Sequence, residues 1–571
     1  MLDLIVKSGT VVDGTGSPGF TGDVGISGGR IAAVGTVDRP AARIIDAAGM
    51  VVAPGFVDVH THYDAQLFWD PAASPSNEHG VTTVLGGNCG FTLAPLRAED
   101  SDYIRRMMAK VEGMPLPALE QGLPWSWSSF AEYLDALEGR IGVNAGFLVG
   151  HSAIRRYVMG PDATGNTASP EQVAEMVRVL HEALEAGGLG FSSSQSTTHS
   201  DGNNDPVPSY FADRAEMLAL AGAVSDHPGT WLEFIITGCQ GFFSDDEIDL
   251  MTQMSVRAQR SLNWNVLSHA STTMDRTQHQ LGASDVAARA GGRIVALSMP
   301  SIGGLKMSFA TYCALYLLPN WGDILYLDHD DKKAKLADPA VRRWLDEQAR
   351  SSEGPFQFIS EWANMEIGDT YAAENDGLTG RRVGDVAAER GKDPFDTLLD
   401  IVVADDLQTA LWPQSSDDID LAWQQRAELW RDQRVLVGGS DAGAHLDRMC
   451  GARYPTEMLA TCVRDRGLLS LEECVRLMTD LPARLFGLRG RGRVAEGFHA
   501  DLVVFDPGTV ASGPIVGRTD LPAACERLYA GAIGVEHVMV NGTSIITAAR
   551  PTGATPGTLL RSGRDTETVL P

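Results

Sequence analysis

The chain has 571 residues, 44% of them hydrophobic and 21% charged, and its 74 Asp and Glu against 46 Lys and Arg leave a net charge of −28. That length exceeds one small domain and suits a large α/β body with an accessory part. So acidic a surface disfavours nucleic acid and anionic membranes as partners, and no apolar run approaches the roughly eighteen residues of a membrane span. The opening Met1–Gly9 lacks a basic leader, a long apolar stretch and a small-residue cleavage site, which predicts a cytoplasmic location. Seven scattered cysteines without CxxC spacing read mostly as buried thiols in a reducing compartment.

Residues 1–55 read as short strands, Asp3–Lys7, Thr10–Val12, Gly22–Ile26, Arg30–Val34 and Arg43–Asp46, parted by turn signals such as Asp13-Gly14. Residues 56–485 alternate apolar strands with amphipathic helices, which predicts an α/β fold with a parallel, TIM-like (β/α)8 barrel. The candidate strands are Gly55–Val59, Val81–Gly86, Asn144–Val149, Gly188–Ser192, Thr230–Ile236, Asn263–Ser268, Arg293–Ala296 and Arg434–Gly438. Candidate helices are Gln172–Ala186, Arg214–Asp226, Asp246–Ser261, Thr277–Ala290 and Leu471–Leu485. From about 297 to 375 the rhythm breaks, with an aliphatic-aromatic stretch (Met307–Trp321) before a charged one (Asp328–Ser352), read as an insertion capping the barrel mouth. Strand-like texture returns at Gly492–Val494, Asp501–Phe505, His537–Val540 and Thr543–Ile546. Residues 1–55 and 486–550 therefore predict one small β-sandwich built from both termini, and 551–571 a polar tail.

In such a barrel the carboxyl ends of the strands carry the active site. The first strand ends in His60-Thr61-His62. On a strand, positions i and i+2 leave the same face, so both imidazoles can meet one metal ion. The alternative is a pair of histidines on a partly exposed strand. Strand two ends Gly86-Gly87-Asn88-Cys89-Gly90, where glycines free the backbone to aim a thiolate, or Cys89 is a buried structural cysteine. Strand five holds Glu233 inside an apolar run, and a buried carboxylate there needs a metal or an ion pair. Strand six ends in His269, a ligand or a satisfied core histidine. Strand eight delivers Gly438-Gly439-Ser440-Asp441, placing a general base, or a cap for the next helix.

Together with Gly80-Val81-Thr82-Thr83-Val84, Val149-Gly150-His151, Arg390-Gly391-Lys392-Asp393-Pro394, Leu481-Pro482-Ala483-Arg484 and Gly497-Phe498-His499-Ala500-Asp501, these motifs resemble the amidohydrolase superfamily. Within it they resemble the N-acyl-D-amino-acid deacylase branch, over nearly the whole chain. The resemblance implies a zinc-dependent hydrolase cleaving a non-peptide C–N bond, with Zn2+ held tightly at one site and weakly at a second. Carried over, the metal residues are His60, His62, Cys89, His269 and Asp441, with Asp441 as base. The family's strand-five histidine is replaced here by Glu233, so a Cys-Glu-His site is implied. The cation that follows the family's strand-six histidine is also absent, since Ala-Ser-Thr-Thr follows His269. Arg448 or Arg453 could grip a substrate carboxylate, and His151 could polarise a carbonyl. The expected partner is a small, amide-containing and partly hydrophobic substrate, and a homo-oligomer is compatible with the sequence. A cyclic amide or imide, an ester or a lactone is the alternative substrate. A non-catalytic ligand-binding relative is the alternative of another class.

Overall fold

The computed structural model describes residues 1–300, 304–351, 357–415 and 417–571, and the chain divides into two compact units. The first is Met1–Ser301 with Trp423–Leu446 and Cys450–Pro571, and the second is Ile302–Ala422 with Asp447–Met449. The first unit opens with β1 (Leu2–Val11), β2 (Phe20–Ser27), β3 (Arg30–Gly35), β4 (Ala41–Asp46) and β5 (Val51–Pro54). Eight more strands follow: β6 (Phe56–Asp58), β7 (Val81–Gly86), β8 (Asn144–Phe147), β9 (Val149–Gly150), β10 (Gly190–Gln195), β11 (Trp231–Ile236), β12 (Ser261–Leu267) and β13 (Arg293–Ser298). Strand β7, Val-Thr-Thr-Val-Leu-Gly, is buried at every position, as expected of a parallel strand covered on both faces. Several of the helices between start on polar caps. Ser169 and Gln172 form a reciprocal capping box at Pro170–Glu185, and Ser244 with Glu247 does the same at Asp245–Ala258.

The second unit contains the short antiparallel pair β14 (Met365–Ile367) and β15 (Leu411–Pro413) and the helices His329–Ala337, Pro339–Arg350 and Pro394–Ala404. Its own core gathers Met307, Phe309, Trp321, Trp362 and Phe395. The Met307–Trp321 stretch is therefore spent on packing this unit, with Trp321 Nε1 donating to Leu345 O at 3.1 Å. The unit starts after β13, which runs through Ser298, and extends to residue 422, beyond the insertion expected at 297–375. It reaches that far because Val383, Phe395, Leu398 and Leu411 pack into the same core. Residues 301–303 and 352–356 of that expected insertion lie outside the described residues.

Back in the first unit come β16 (Val435–Val437), β17 (Leu502–Phe505), β18 (Ala511–Ser512), β19 (Val516–Thr519), β20 (Glu526–Tyr529), β21 (Ala532–Ile533), β22 (Val535–Val540), β23 (Thr543–Thr547) and β24 (Arg550–Pro551). Strands from both ends of the chain share one nine-stranded sheet, in the order β24-β23-β22-β17-β5-β1-β2-β3 with β4 on β1. The junction is β5 against β17, which puts Pro54 opposite Leu502. The parallel strands pair as β6-β7-β8 and β9-β10-β11-β12-β13-β16, and only Leu148 separates β8 from β9. Past the strand ends Thr61 pairs in parallel with Ala442, and His62 N donates to Ala442 O at 2.7 Å. One apolar cluster collects Val57, Leu85, Leu148, Trp231, Leu297 and Leu436 from these strands and the residue between β8 and β9.

The polar tail expected at 551–571 is instead packed. Leu559 and Leu560 are fully buried, and Leu560 joins the cluster just described. Ala145 N donates to Thr558 O at 3.1 Å and Leu560 N to Ala145 O at 2.7 Å, so the segment adds itself beside β8. Two apolar residues in a polar run suffice, because the surrounding backbone supplies the hydrogen bonds. No helix among the described residues is long and apolar enough to cross a membrane.

Candidate active site

Strand β6 ends at Asp58, and Thr61 is then pinned on both sides. Its N–H and hydroxyl both donate to Leu85 O at 3.0 Å, and its carbonyl accepts from Asn88 Nδ2 at 3.1 Å. The extended backbone sends His60 and His62 together to the other side, with ring centroids 5.3 Å apart.

Cys89 follows β7 in a tight turn. Gly87 has φ +73°, and a Cβ there would stand 2.3 Å from Leu148 O, so only glycine fits. Cys89 itself is left-handed, at φ +56°, a conformation that surrounding contacts must impose. They do. Gly87 N donates to Asp64 Oδ2 (3.2 Å), Gly90 N to Ser192 Oγ (3.1 Å) and Cys89 N to Glu233 Oε2 (2.7 Å). Cys89 Sγ then lies 3.6 Å from His60 Nε2.

Asp441, also left-handed at φ +51°, follows β16 and closes the group. Its Oδ1 lies 3.2 Å from His60 Nε2 and 3.5 Å from His62 Nε2, and its Oδ2 lies 4.0 Å from His445 Nε2. Behind His62, Glu112 Oε1 stands 3.5 Å from Nδ1. Donor atoms of His60, His62 and Cys89 fall within 4.8 Å of one another.

Burial and charge dominate the electrostatics. Burial would raise the Asp441 carboxyl, but its bonds to His60 and His62 outweigh that and hold it well below the usual carboxylate range. Burial lowers His60 as well, yet Asp441 leaves it raised overall, whereas burial wins at His62 and lowers it. The Cys89 thiol is pushed well up by burial and then by Glu233, Glu112 and Asp441. Burial also lifts Asp58 to about 6 and Asp64 and Glu233 to about 7. A divalent cation reverses these penalties, since it draws the proton from a coordinating thiol and balances buried acids. A thiol and two imidazoles within reach of one ion, with the Asp441 carboxylate beside both imidazoles, are a donor set that zinc accepts. The residues present fit that metal.

The other residues singled out in the sequence are placed differently. Glu233 reaches the turn but bonds Cys89 N and Asn265 Nδ2. His269, expected as a ligand, lies two residues past β12, where its ring nitrogens contact Thr277 Oγ1 and Gln425 Oε1, each at 3.0 Å, outside the donor group. His151 opens the helix His151–Met159 and is sealed between Ser193 Oγ (2.8 Å) and Glu216 Oε1 (2.7 Å), with Arg155 on the same carboxylate. That network is fully buried and lies outside the group of His60, His62 and Cys89. Arg448 belongs to the second unit, over the Tyr312 ring at 3.7 Å and bonded to Asp447 at 2.8 Å. Arg453 faces Glu457 at 3.5 Å. Sequence reasoning passed over Glu112, Ser192, Asn265, His199 and His445. Of these, only His445 carried a signal, a histidine four residues after Asp441. Half-buried His199, lowered to about 3 by desolvation and then by His445 and His62, shares their surroundings.

Comparison with known proteins gives the same picture. The sequence pattern of the amidohydrolase family matches residues 43–546. The D-aminoacylase of Alcaligenes xylosoxydans xylosoxydans is 30% identical over 98% of this chain and 97% of that protein. A D-aminoacylase crystal structure, described for the role of its binuclear metal center, has a TM-score of 0.63 at 27% identity, covering 98% of this chain and 100% of its own. The N-acyl-D-glutamate deacylase of Bordetella bronchiseptica, solved with zinc and a phosphonate inhibitor, has the same fold, with TM-score 0.63, 24% identity and coverage of 98% and 100%. The protein is a hydrolase of mixed α/β fold, built like the enzymes that cleave C–N amide bonds. It belongs to the amidohydrolase family.

Proposed function

We propose that this hydrolase removes the acyl group from an N-acyl-D-amino acid or a close amide analogue, with zinc as its cofactor. The convergence of the donor atoms of His60, His62 and Cys89, with Asp441 against both imidazoles, carries the reading. These four side chains would hold the ion. When bound, zinc supplies Lewis acidity to the amide carbonyl and acidifies water. Asp441, ionised and placed between both imidazoles, accepts the proton of the attacking water and returns it to the leaving nitrogen. Glu112, 3.5 Å from His62 Nδ1, is the carboxylate placed to orient that ring, as commonly found behind a metal-bound histidine. The D configuration is taken from the deacylases named above, all of which act on D-amino-acid substrates by their names. The eight parallel strand positions support a closed (β/α)8 barrel over 56–485 with this site at its carboxyl ends, and the shared sheet supports a sandwich domain of 1–55 with 486–550.

The test compares turnover of N-acyl-D-amino acids, their L enantiomers, hydantoins and lactones, with metal content measured on the same samples. Asp441→Asn is expected to lower turnover roughly 10²–10⁴-fold while zinc stays near wild type. Full turnover in that variant would remove Asp441 as base. Preference for hydantoins or lactones would move the substrate class. The lack of both hydrolysis and bound metal in every preparation would favour a ligand-binding relative.

A further inference from the structure

Glu233 is completely buried, yet its oxygens stand outside the group formed by His60, His62 and Cys89. Both are engaged elsewhere. Oε2 accepts the Cys89 N–H at 2.7 Å, and Oε1 accepts from Asn265 Nδ2. Asn265 Oδ1 in turn accepts from Asn263 Nδ2 at 3.1 Å, and Asn265 Nδ2 lies 4.0 Å from Cys89 Sγ. Side chains of β11 and β12 thus form a polar chain that ends on the backbone of the thiol turn. Both oxygens thus point at N–H donors, and neither joins the donor atoms of His60, His62 and Cys89. A cysteine held at φ +56° needs just such an outside anchor on its N–H.

We infer that Glu233 is a positioning residue and not a metal ligand. It clamps the Cys89 turn in its left-handed form so that Sγ meets His60 Nε2, and the centre holds a single cation on Cys89, His60, His62 and Asp441. The inference rests on the metal-dependent reading above and sharpens it. It also predicts that what matters at position 233 is a hydrogen-bond acceptor for Cys89, not a negative charge.

Cobalt(II) tests this without reference to turnover, because a cobalt–thiolate bond gives a charge-transfer absorption in the near ultraviolet. Cobalt titration of the metal-depleted wild type should saturate at one ion per chain and develop that band, and Cys89→Ser should abolish it. Glu233→Ala should lower the band per bound cobalt at least fivefold, since the turn loses its anchor. The swapped pair Glu233→Gln with Asn265→Asp should restore it. The introduced amide still accepts from Cys89 N through its oxygen and donates through its nitrogen to the introduced carboxylate, which still accepts from Asn263. A band lost in the swapped variant while its circular dichroism matches wild type would overturn the inference. So would a full band in Glu233→Ala, or two cobalt ions per chain in the wild type, a result independent of whether the variants fold. A wild type with no thiolate band would instead refute the underlying metal site. The two failures are therefore separable.

Discussion

His79 is a clear case of a side chain whose chemistry is set first by burial, with the Ala530 carbonyl opposing the shift and Arg453 adding to it. It is fully buried, with Nε2 donating to Ala530 O at 2.9 Å and Nδ1 2.7 Å from Thr456 Oγ1, and burial lowers it from 6.5 to about 4. Below pH 6.5 the unfolded chain gains a proton that the folded one refuses. Stability is therefore lost as pH falls from 6.5 towards 4, by about 3 kcal/mol in all. His79→Gln should flatten that part of the profile in urea denaturation run at several pH values. The Arg155–Glu216 pair predicts a different penalty. Both side chains are fully buried, so Glu216→Gln leaves a guanidinium without its counter-charge and should cost about 3–5 kcal/mol by denaturant titration. Turnover of the molecules that remain folded should survive, because the network lies outside the donor group. His60, His62, Cys89 and Asp441 were legible in the sequence because each follows an apolar strand at its carboxyl end. His269 obeys the same rule, but in the structure its ring turns to Thr277 and Gln425. Glu112 was invisible because it arrives from the end of the helix Ser101–Val111, with no pattern tying it to the histidines.

Among the elements, the loop after β16 is the most exposed to a small change. Gly443 has φ +89°, and a Cβ there would stand 2.5 Å from His62 O. Gly443→Ala must move either Asp441 or the His62 backbone. We expect a loss of about 1–3 kcal/mol in stability from the strained backbone. We expect a roughly hundredfold loss in turnover from misplacement of the base, the larger effect of the two. Parallel kinetics and denaturation on one preparation check both. The main parallel strands and the helices Pro170–Glu185, Arg214–Ala223, Asp245–Ala258 and Met274–Arg289 were readable from periodicity. Helices such as Ser101–Val111 and Pro394–Ala404 were not, and two further differences have physical causes. Strand β10 extends to Gln195, where Ser192-Ser193-Ser194 looks like loop, yet Ser192 and Ser193 turn their hydroxyls to Gly87 O and His151. The single helix expected at Leu471–Leu485 is two, Leu471–Met478 and Asp480–Leu485, broken at buried Thr479 (φ −132°, ψ −82°). Hydrophobic spacing carries across such a break and hides it.

At the scale of the whole molecule, the segment around Leu559 and Leu560 predicts more damage than its composition suggests. Leu560→Ala should cost about 2–5 kcal/mol, as for other core leucines, and removing residues 557–571 should also expose the edge at Ala145. The denaturation midpoint and the fraction recovered in soluble form measure both. Further bonds tie this segment to distant parts, with Arg561 Nη1 on Ala186 O, Thr566 Oγ1 on Gly229 O and Glu567 N on Gly487 O, each at 2.7–2.8 Å. The pairing of β5 with β17 joins residues more than four hundred positions apart, and such non-local pairing slows folding. These features bear on how the protein is made. On the ribosome, β1 to β5 and the first parallel strands emerge long before the partners that complete their sheet and seal their core. The nascent chain must therefore hold its apolar strands uncommitted, in reach of chaperones, until synthesis is nearly finished. A polypeptide released before Leu560 lacks the segment that lies beside β8, and should leave that edge and its apolar neighbours open to aggregation.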